Sequence, residues 1–299
     1  MIAQTLVFSS PGKLRLHLGQ LVYDGENGVH RTFPIEDVGF VIIDTGLVTI
    51  STAALQALAE NNTAVVVCDK THHPAAQLLP FAVHSTAQET VEAQLSASDA
   101  VNGRVWRQLV RQKIRNQASL MEQLKIDGHK QLFNMAELVK NYDEGNLEAQ
   151  AARIYFQAMV PDPAFRRERE GAWPNIALNY GYAILRAATA RALVGSGLIC
   201  IKGAHHHNRY NPFCLADDVM EPYRPFVDQY IFSKLPPFDS PAEELFPGMK
   251  QRLLQVLTCD VKMGEQRRPL MVALSYTTAS LARYYLKKTD ELVLPEFFQ

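Results

Sequence analysis

The sequence predicts an α+β fold, in which a small N-terminal β domain with one helix is followed by a larger, all-helical catalytic domain. Short apolar runs separated by glycines fill the first part of the chain, as is typical of short strands and turns. From residue 87 to 288, Leu, Ala, Gln and Arg dominate, and apolar residues recur at spacings of three and four, which indicates helices. We therefore expect two domains within the 299 residues, at 1–85 and 86–299.

Three strands are expected early in the chain, at residues 2–8, 13–18 and 40–43, because these runs are rich in Val, Ile, Leu and Phe. Residues 13–18 alternate strictly between polar and apolar, the pattern of a strand with one buried face.

One helix is expected among these strands, at residues 51–60. Ser51 or Thr52 would cap its start, and Asn61 and Asn62 would end it. Residues 64–68 then predict a buried strand, and the proline-rich segment 235–247 predicts a loop.

Composition restricts the class of protein. The net charge of −1 means that any affinity for nucleic acid has to come from local clusters of Lys and Arg. No apolar run approaches the roughly 20 residues needed to span a bilayer, and the first residues do not have the pattern of a signal peptide. The four cysteines are not paired as C-x-x-C, which argues against a structural zinc site or a disulfide framework and favours a cytoplasmic location.

Three adjacent histidines, at 205–207, precede a predicted helix that carries carboxylates. Asn211 followed by Pro212 is typical of a helix start, and on that helix Asp218 and Glu221 would share one face. One imidazole beside two carboxylates suits Mg²⁺ or Mn²⁺. The alternative stays open that the acids only stabilise the helix dipole and that the histidines are merely exposed.

Glu148 lies near the start of another predicted helix. Leu147, Ala151, Ile154 and Ala158 form an apolar stripe that is expected to face inward, and Glu148 lies beside it. From the pattern alone, a surface Glu that stabilises a helix start is the more common explanation.

A third cluster is basic. Arg104, Arg107, Arg111 and Arg115 recur at spacings of three and four, with Lys113 nearby, and would form one cationic stripe on a helix. A DNA-binding stripe that contacts phosphates and a solvated face fit this pattern equally well. The chain contains no P-loop, no G-x-G-x-x-G and no G-x-S-x-G, so nucleotide-driven chemistry has no support.

Three segments together resemble the CRISPR-associated integrase and endonuclease family, the first-numbered Cas protein, and its type II branch in particular. Residues 203–225 follow the family pattern G-x-H-H-x-N-x-x-N-x-F-x-L-A-x-D-x-M-E-P-x-R-P almost position for position. Residues 179–188 are similar to the family's N-Y-G-Y helix, and residues 51–62 to the helix of its N-terminal domain.

The resemblance implies an active site made of a Glu, a His and a second acid around a divalent ion, Mg²⁺ or Mn²⁺. Glu148 and Glu221 match the two acids, and His206 matches the His, which falls 15 residues before the second acid. Asp218 matches an acid one turn earlier and would be a supporting group. Many relatives have Gly after the first Glu, whereas this chain has Ala149.

The implied reaction is the insertion of short foreign DNA fragments as spacers into a CRISPR array by transesterification at the repeat, as part of antiviral defence. The implied partners are double-stranded and branched DNA, a second copy of the chain in a homodimer, and a small second Cas protein. The type II effector nuclease is a further candidate partner, and no membrane is involved. Two alternatives remain, a metal-dependent nuclease without an integration role and a non-catalytic DNA-binding scaffold subunit.

Overall fold

A computed structural model gives the fold and describes residues 4–70, 74–80, 85–162, 164–168, 171–234, 245 and 247–298. It is a mixed fold of helices and strands. The strands are β1 (Gln4–Phe8), β2 (Gly12–His17), β3 (Gln20–Gly25), β4 (His30–Pro34), β5 (Val38–Ile43), β6 (Val48–Ile50), β7 (Ala64–Cys68), β8 (Pro74–Leu78), β9 (Asp260–Met263) and β10 (Gln266–Pro269). The α-helices are α1 (Thr52–Glu60), α2 (Ala87–Leu95), α3 (Asp99–Gln123), α4 (His129–Leu138), α5 (Leu147–Met159), α6 (Asn175–Gly195), α7 (Cys214–Val219), α8 (Arg224–Lys234), α9 (Pro247–Leu254) and α10 (Leu270–Tyr285).

The first sheet, in the order β1–β5–β7–β8, is buried on both faces at its centre. β5 pairs in parallel with β1 and β7, and all six of its residues are buried. Phe40 and Ile42 join the core formed with the helices, whereas Val41 and Ile43 join a second core on the opposite face. Because successive side chains of a strand point to opposite faces, this double burial explains the continuous apolar run in β5.

The second sheet, in the order β4–β3–β2–β6, packs with α1 against the second core. Leu14, Leu21 and Leu58 supply side chains with almost no exposure there. The side chain of Ser51 accepts a hydrogen bond from the backbone N–H of Ala54 at 3.2 Å, which confirms Ser51 as the N-cap of α1.

Two long helices organise the rest of the chain. α3 has 25 residues and packs against α4, α5 and the 3₁₀ helix Glu221–Tyr223. α6 has 21 residues and packs against α7, α8 and α10. α3 therefore contacts both α5, which carries Glu148, and the 3₁₀ helix that begins at Glu221.

The C-terminal segment ties α3 to the chain just after Glu221. The side-chain amide of Asn116 on α3 donates to the carbonyl of Pro222 at 2.7 Å and to the carbonyl of Pro295 at 2.9 Å. The Gln112 amide also donates to the Pro295 carbonyl, and the ring of Phe297 stacks on that of Phe226 at 4.1 Å. These contacts fix the backbone around Glu221 against the longest helix.

The structure differs from the sequence prediction at several places. The second strand ends at His17 because Leu18, at φ 49°, enters the turn and is 87% exposed. The region expected to be helical throughout contains the hairpin β9–β10, whose turn includes Gly264 at φ 61°. A four-residue strand is too short to give a clear period of two, so helical periodicity hid it.

Two predicted segments lie partly outside the described residues. The first strand was expected from residue 2, but only its part from Gln4 is described. In the expected loop 235–247, only residues 245 and 247 are described, and Pro247 already begins α9. Proline suits that position because the first turn of a helix has no use for its missing N–H.

Candidate active site

The first candidate carboxylate, Glu148, lies on the inward face of α5. The carboxylate of Asp143 accepts hydrogen bonds from the backbone N–H groups of Leu147 and Glu148, at 2.9 and 2.8 Å. It thereby gives partners to two N–H groups of the first turn that have none within the helix. The buried residues of α5 are Ala151, Tyr155 and Met159, a stripe that contains Glu148 in its line. The inward stripe predicted through Ile154 and Ala158 is rotated from the observed one, and the interpretation of Glu148 as a surface residue is wrong.

The candidate histidine, His206, lies in a loop that folds around Asp218. The carboxylate of Asp218 accepts the backbone N–H groups of Ala204, His205 and His206 at 2.7 to 3.1 Å. It also lies 2.6 Å from Nδ1 of the His206 ring. This single buried carboxylate therefore fixes both the loop and the imidazole.

Gly203 makes the loop possible. A Cβ atom at this position would lie 2.5 Å from the carbonyl oxygen of His206 and 2.8 Å from the carboxylate of Asp218. Both distances are too short for a real carbon contact, so only glycine allows the loop to close over Asp218.

The second candidate carboxylate, Glu221, does not extend the helix of Asp218. α7 ends at Val219, and Glu221 begins a 3₁₀ helix. The two acids contact different groups, Asp218 the loop and Glu221 the cations Lys113 and Arg224. The expected helix start at Asn211 and Pro212 is also early, because α7 begins at Cys214 and the Asn211 side chain caps the turn before it.

Lys113 connects the two candidate acids. Its Nζ atom lies 2.6 Å from Oε1 of Glu148 and 2.6 Å from Oε2 of Glu221. Nε of Arg224 lies 2.8 Å from the other oxygen of Glu221. Glu148 and Glu221, 73 positions apart in the numbering (221 minus 148), are thus brought to one ammonium group.

From the sequence, Lys113 is expected only beside the arginine stripe, and its contacts with the two glutamates are not predicted. Lys113 is only 8% exposed and follows Trp106, a fully buried residue of α3, by two helical turns. A lysine in line with a buried tryptophan is a signal that a charged partner lies inside, because lysine is rarely buried unless it is paired.

The charges of the site stabilise its ionised forms. Burial alone would raise the pKa of Glu221, but the attraction of Arg224 and Lys113 lowers it to about 2. Burial opposes the charge of Lys113, yet the two glutamates raise its pKa. The hydrogen bond that the His206 ring donates to Asp218 raises the pKa of His206, against the effect of burial.

The neighbouring histidines have other surroundings. The ring of His205 stacks on Trp106 with a centroid distance of 4.2 Å and an interplanar angle of 5°. Burial lowers the pKa of His205, so its ring favours the neutral form. His207 is exposed, and its ring contacts the backbone carbonyl of His205. Of the three rings, those of His205 and His206 also meet edge to face, at 5.5 Å.

A buried network of polar groups extends the site behind Arg224. Its guanidinium lies over the ring of Tyr182, 4.4 Å from the centroid. The hydroxyl groups of Tyr182 and Tyr155 donate to the carboxylate of Asp228 at 2.5 and 2.9 Å. Burial raises the pKa of Asp228 to about 6, in spite of these hydrogen bonds.

The predicted cationic stripe is only partly free. Arg111 and Arg115 both pair with Glu137, which α4 brings beside them. Arg104 donates to the hydroxyl of Tyr284 at 3.3 Å and, like Arg107, is exposed. The stripe therefore has two halves. Glu137 compensates the charges of Arg111 and Arg115, whereas no acid among the described residues is seen to pair with Arg104 or Arg107.

Within the described ranges, no group of three or more His, Cys, Asp and Glu side chains lies close enough to hold one metal ion. Between Glu148 and Glu221 stands the ammonium group of Lys113. None of the four cysteines, all in the described part of the chain, forms a disulfide bond there. No helix among the described residues is long and apolar enough to cross a membrane.

Comparison with known protein families shows to which family the chain belongs. The family model described as "CRISPR associated protein Cas1" matches residues 6–236. The chain belongs to the Cas1 family.

Named relatives agree with this assignment. The CRISPR-associated endonuclease Cas1 of Neisseria meningitidis serogroup C is 36% identical over 298 residues, which cover 99% of this chain and 97% of that protein. A Cas1 endonuclease of Pyrobaculum aerophilum is 26% identical over 94% of this chain and 98% of its own length. The family resemblance seen in the sequence is confirmed, the Neisseria relative fits the type II branch, and the chain is a CRISPR-associated endonuclease.

Solved structures show the same Cas1 fold. A casposase bound to integration product has a TM-score of 0.80 at 19% identity, and covers 97% of this chain and 92% of the other. A Cas1 protein from Thermotoga maritima has a TM-score of 0.73 at 16% identity, over 95% and 97% of the two chains. A Cas6-RT-Cas1–Cas2 complex also has a TM-score of 0.73, at 21% identity, over 99% of this chain and 36% of the other. At these identities the likeness concerns the fold.

Proposed function

We propose that this chain inserts short foreign DNA fragments into a CRISPR array, with Glu148, His206 and Glu221 holding one divalent cation at the reacting phosphate. The observation that carries the proposal is that Glu148 and Glu221, from distant parts of the chain, meet at one cationic group. His206 stands on a loop held by Asp218, and the charge of Glu221 acts on its ring. Family membership and the likeness to the casposase bound to integration product support the same reaction.

The carboxylates of Glu148 and Glu221 suit a divalent cation, although with Lys113 between them they are not gathered with His206 around one ion. The Oε2 atom of Glu221 is buried and accepts no hydrogen bond, although the Lys113 ammonium lies 2.6 Å away. Two carboxylates gathered at one positive group form a donor set of hard oxygen atoms, with Lys113 as a stand-in cation. Carboxylate oxygens suit Mg²⁺, and a site with an added imidazole suits Mn²⁺ better.

The chain's own residues define the chemistry. The 3′-hydroxyl of the incoming fragment would attack a phosphodiester of the repeat, so that one phosphodiester bond forms as another breaks. The bound cation would polarise the phosphoryl oxygen and stabilise the leaving 3′-oxygen. Glu148 and Glu221 would hold it by charge. Since Nδ1 of His206 is engaged by Asp218, Nε2 is the ring atom free to ligate the cation or to carry a proton.

The proposed partners follow from this reaction. Double-stranded and branched DNA would be the substrates, and the exposed arginines Arg104 and Arg107 would contact phosphates rather than bases. The complex of Cas6-RT-Cas1 with Cas2 supports a small second Cas protein as a partner of this chain. We further propose a homodimer, the type II effector nuclease as an additional partner, and a cytoplasmic location.

The division of the chain is part of the same proposal. Residues 1–85 would form a small β domain with one helix. Residues 86–299 would form the catalytic domain, helical apart from the hairpin β9–β10. The candidate residues Glu148, His206 and Glu221 all fall within the second of these.

The test compares chemistry with binding in the variant Glu221→Gln. The substitution keeps the size of the side chain and removes its charge. Strand joining in Mn²⁺ or Mg²⁺ should fall by roughly 10²–10³ or more, the typical cost of losing one transition-state stabiliser. Affinity for branched DNA in chelator should stay equal or become slightly tighter, because a negative charge near the phosphate has gone.

Glu60→Gln is the matched control, since Glu60 is an exposed residue of α1. It should join DNA normally. If Glu221→Gln joins DNA as well as this control, Glu221 is not a metal ligand of the reaction. If it loses binding in step with joining, Glu221 acts in DNA binding and the scaffold alternative is favoured. If the unaltered protein cuts DNA but never yields a joined product, the alternative of a nuclease without an integration role is correct.

A further inference from the structure

The strongest feature that the proposed function leaves unexplained is the position of Lys113. Its ammonium group is buried and lies 2.6 Å from one oxygen of each candidate metal ligand, Glu148 and Glu221. A group at this position competes for the same oxygen atoms that a divalent cation needs.

We propose that Lys113 is the internal counter-ion of Glu148 and Glu221, and that a divalent cation binds by displacing its ammonium group from them. This inference rests on the proposed function, since it assumes that the two glutamates are the metal ligands. It assigns Lys113 as a positioning residue that keeps the carboxylates together before the cation arrives.

The electrostatics explain why such a group is needed. Two carboxylates held close together in a partly buried site repel each other strongly, because the effective dielectric constant there is far below that of water. Glu221 is only 4% exposed, so water screens its charge poorly. An ammonium group shared between the two acids removes this repulsion and holds them at a separation that a cation can later bridge.

The surroundings show that Lys113 can leave without dismantling the site. The other oxygen of Glu221 is held by Nε of Arg224 at 2.8 Å. The start of α5, which carries Glu148, is fixed by the carboxylate of Asp143. The backbone after Glu221 is held by Asn116. The carboxylate of Glu221 and the backbone that carries Glu148 thus have supports that do not depend on the ammonium group.

Lysine suits this task better than arginine. Its ammonium group is a compact charge on a flexible four-carbon chain, and it can move without breaking a planar pair of hydrogen bonds. Arg224, which lies over the Tyr182 ring, is confined by comparison. The two cations beside Glu221 therefore have different roles, one displaceable and one fixed.

The experiment measures Mn²⁺ affinity by calorimetry in the full-length protein without DNA. Lys113→Met removes the charge and keeps the approximate length of the side chain. The dissociation constant for Mn²⁺ should fall by at least about fivefold, because the cation no longer has a competitor. The rise in Tm on adding Mn²⁺ should also be larger than in the unaltered protein. Lys130→Met is the matched control, since Lys130 is exposed on α4, and its Mn²⁺ affinity should be unchanged.

Every outcome bears on the proposal. Unchanged or weaker Mn²⁺ binding in Lys113→Met overturns it, and so does equal tightening in Lys130→Met.

Lys113→Gln is the second variant. If both Lys113 variants fold only with Mn²⁺, the proposal is supported, because the metal then replaces the missing charge. Failure of both to fold even in Mn²⁺ overturns it. Glu148→Gln and Glu221→Gln separate this inference from the proposed function. Normal Mn²⁺ binding in both variants would show that the two glutamates are not metal ligands, and the proposed function would then fail first.

Discussion

Nδ1 of His206 lies 2.6 Å from Oδ1 of Asp218, a carboxylate with no exposed surface. The same carboxylate accepts three backbone N–H groups of the loop that carries the ring. Because an ionised carboxylate only accepts hydrogen bonds, Nδ1 is the donor, and the ring presents Nε2 to its other side. A partner of this kind orients a histidine for a metal ion or a proton.

The first prediction concerns Asp218 as a positioning residue. Asp218→Asn should weaken Mn²⁺ binding or strand joining by about 10–100-fold, the typical cost of losing such an orienting partner. Calorimetry and a joining assay measure the two effects. Asp217→Asn is the control, because the neighbouring carboxylate pairs instead with Arg186, at 2.6 Å. Equal losses in both variants would mean that the orientation of His206 does not matter.

The second prediction concerns the three histidines. His206→Ala should abolish strand joining while leaving the fold intact. His205→Ala should mainly lower Tm, because it removes the ring stacked on Trp106, and His207→Ala should change neither. Joining assays and thermal unfolding of all three variants decide this. If His205→Ala loses joining at unchanged Tm while His206→Ala still joins DNA, the wrong histidine has been assigned.

The third prediction concerns the arginine stripe. Arg104 and Arg107 should each contribute about one unit to the slope of log affinity against log salt, as free phosphate contacts do. Arg111 and Arg115 should contribute less, because Glu137 already compensates them. The double variants Arg104→Ala/Arg107→Ala and Arg111→Ala/Arg115→Ala are compared in DNA-binding titrations at several salt concentrations. An unchanged slope in the first pair would assign it to plain solvent exposure.

The fourth prediction concerns pH and Asp228. Its pKa is raised by burial from 3.8 to about 6, so the folded protein binds a proton that the unfolded chain has released between these values. The free energy of unfolding should therefore fall as pH rises from about 4 to 6, by an amount on the order of 3 kcal/mol from this group. Glu221, whose pKa is lowered to about 2, acts in the opposite direction below pH 4.5.

The difference between the unaltered protein and Asp228→Asn isolates this contribution, since all other groups cancel. Urea unfolding at several pH values between 4 and 7 measures it. The unaltered protein should lose stability relative to the variant as pH rises. A difference that stays constant over this range would show that Asp228 is ionised throughout.

Features that depend on neighbouring residues could be predicted from the sequence alone. The alternation in β2, the Ser51 cap of α1 and the strand β7 are local patterns, and each is found where the sequence predicted it within about a residue, although β7 is buried only over Ala64, Val65 and Val66. The motif at 203–225 identified the family because its residues are contiguous. It also gave the candidates His206, Asp218 and Glu221, whereas Glu148 was matched to the family's first acid.

The contacts that these residues make depend on the fold and could not be predicted from the sequence. Lys113 reaches Glu148 and Glu221 from another helix, and Glu137 reaches Arg111 and Arg115 from α4. A helical pattern predicts which face is apolar, but a charged residue on that face is explained only by its partner across the interface. Coulombic attraction depends on distance in space and not on separation along the chain. For that reason the sequence named the acids and the histidine, whereas the fold supplied the cation between them.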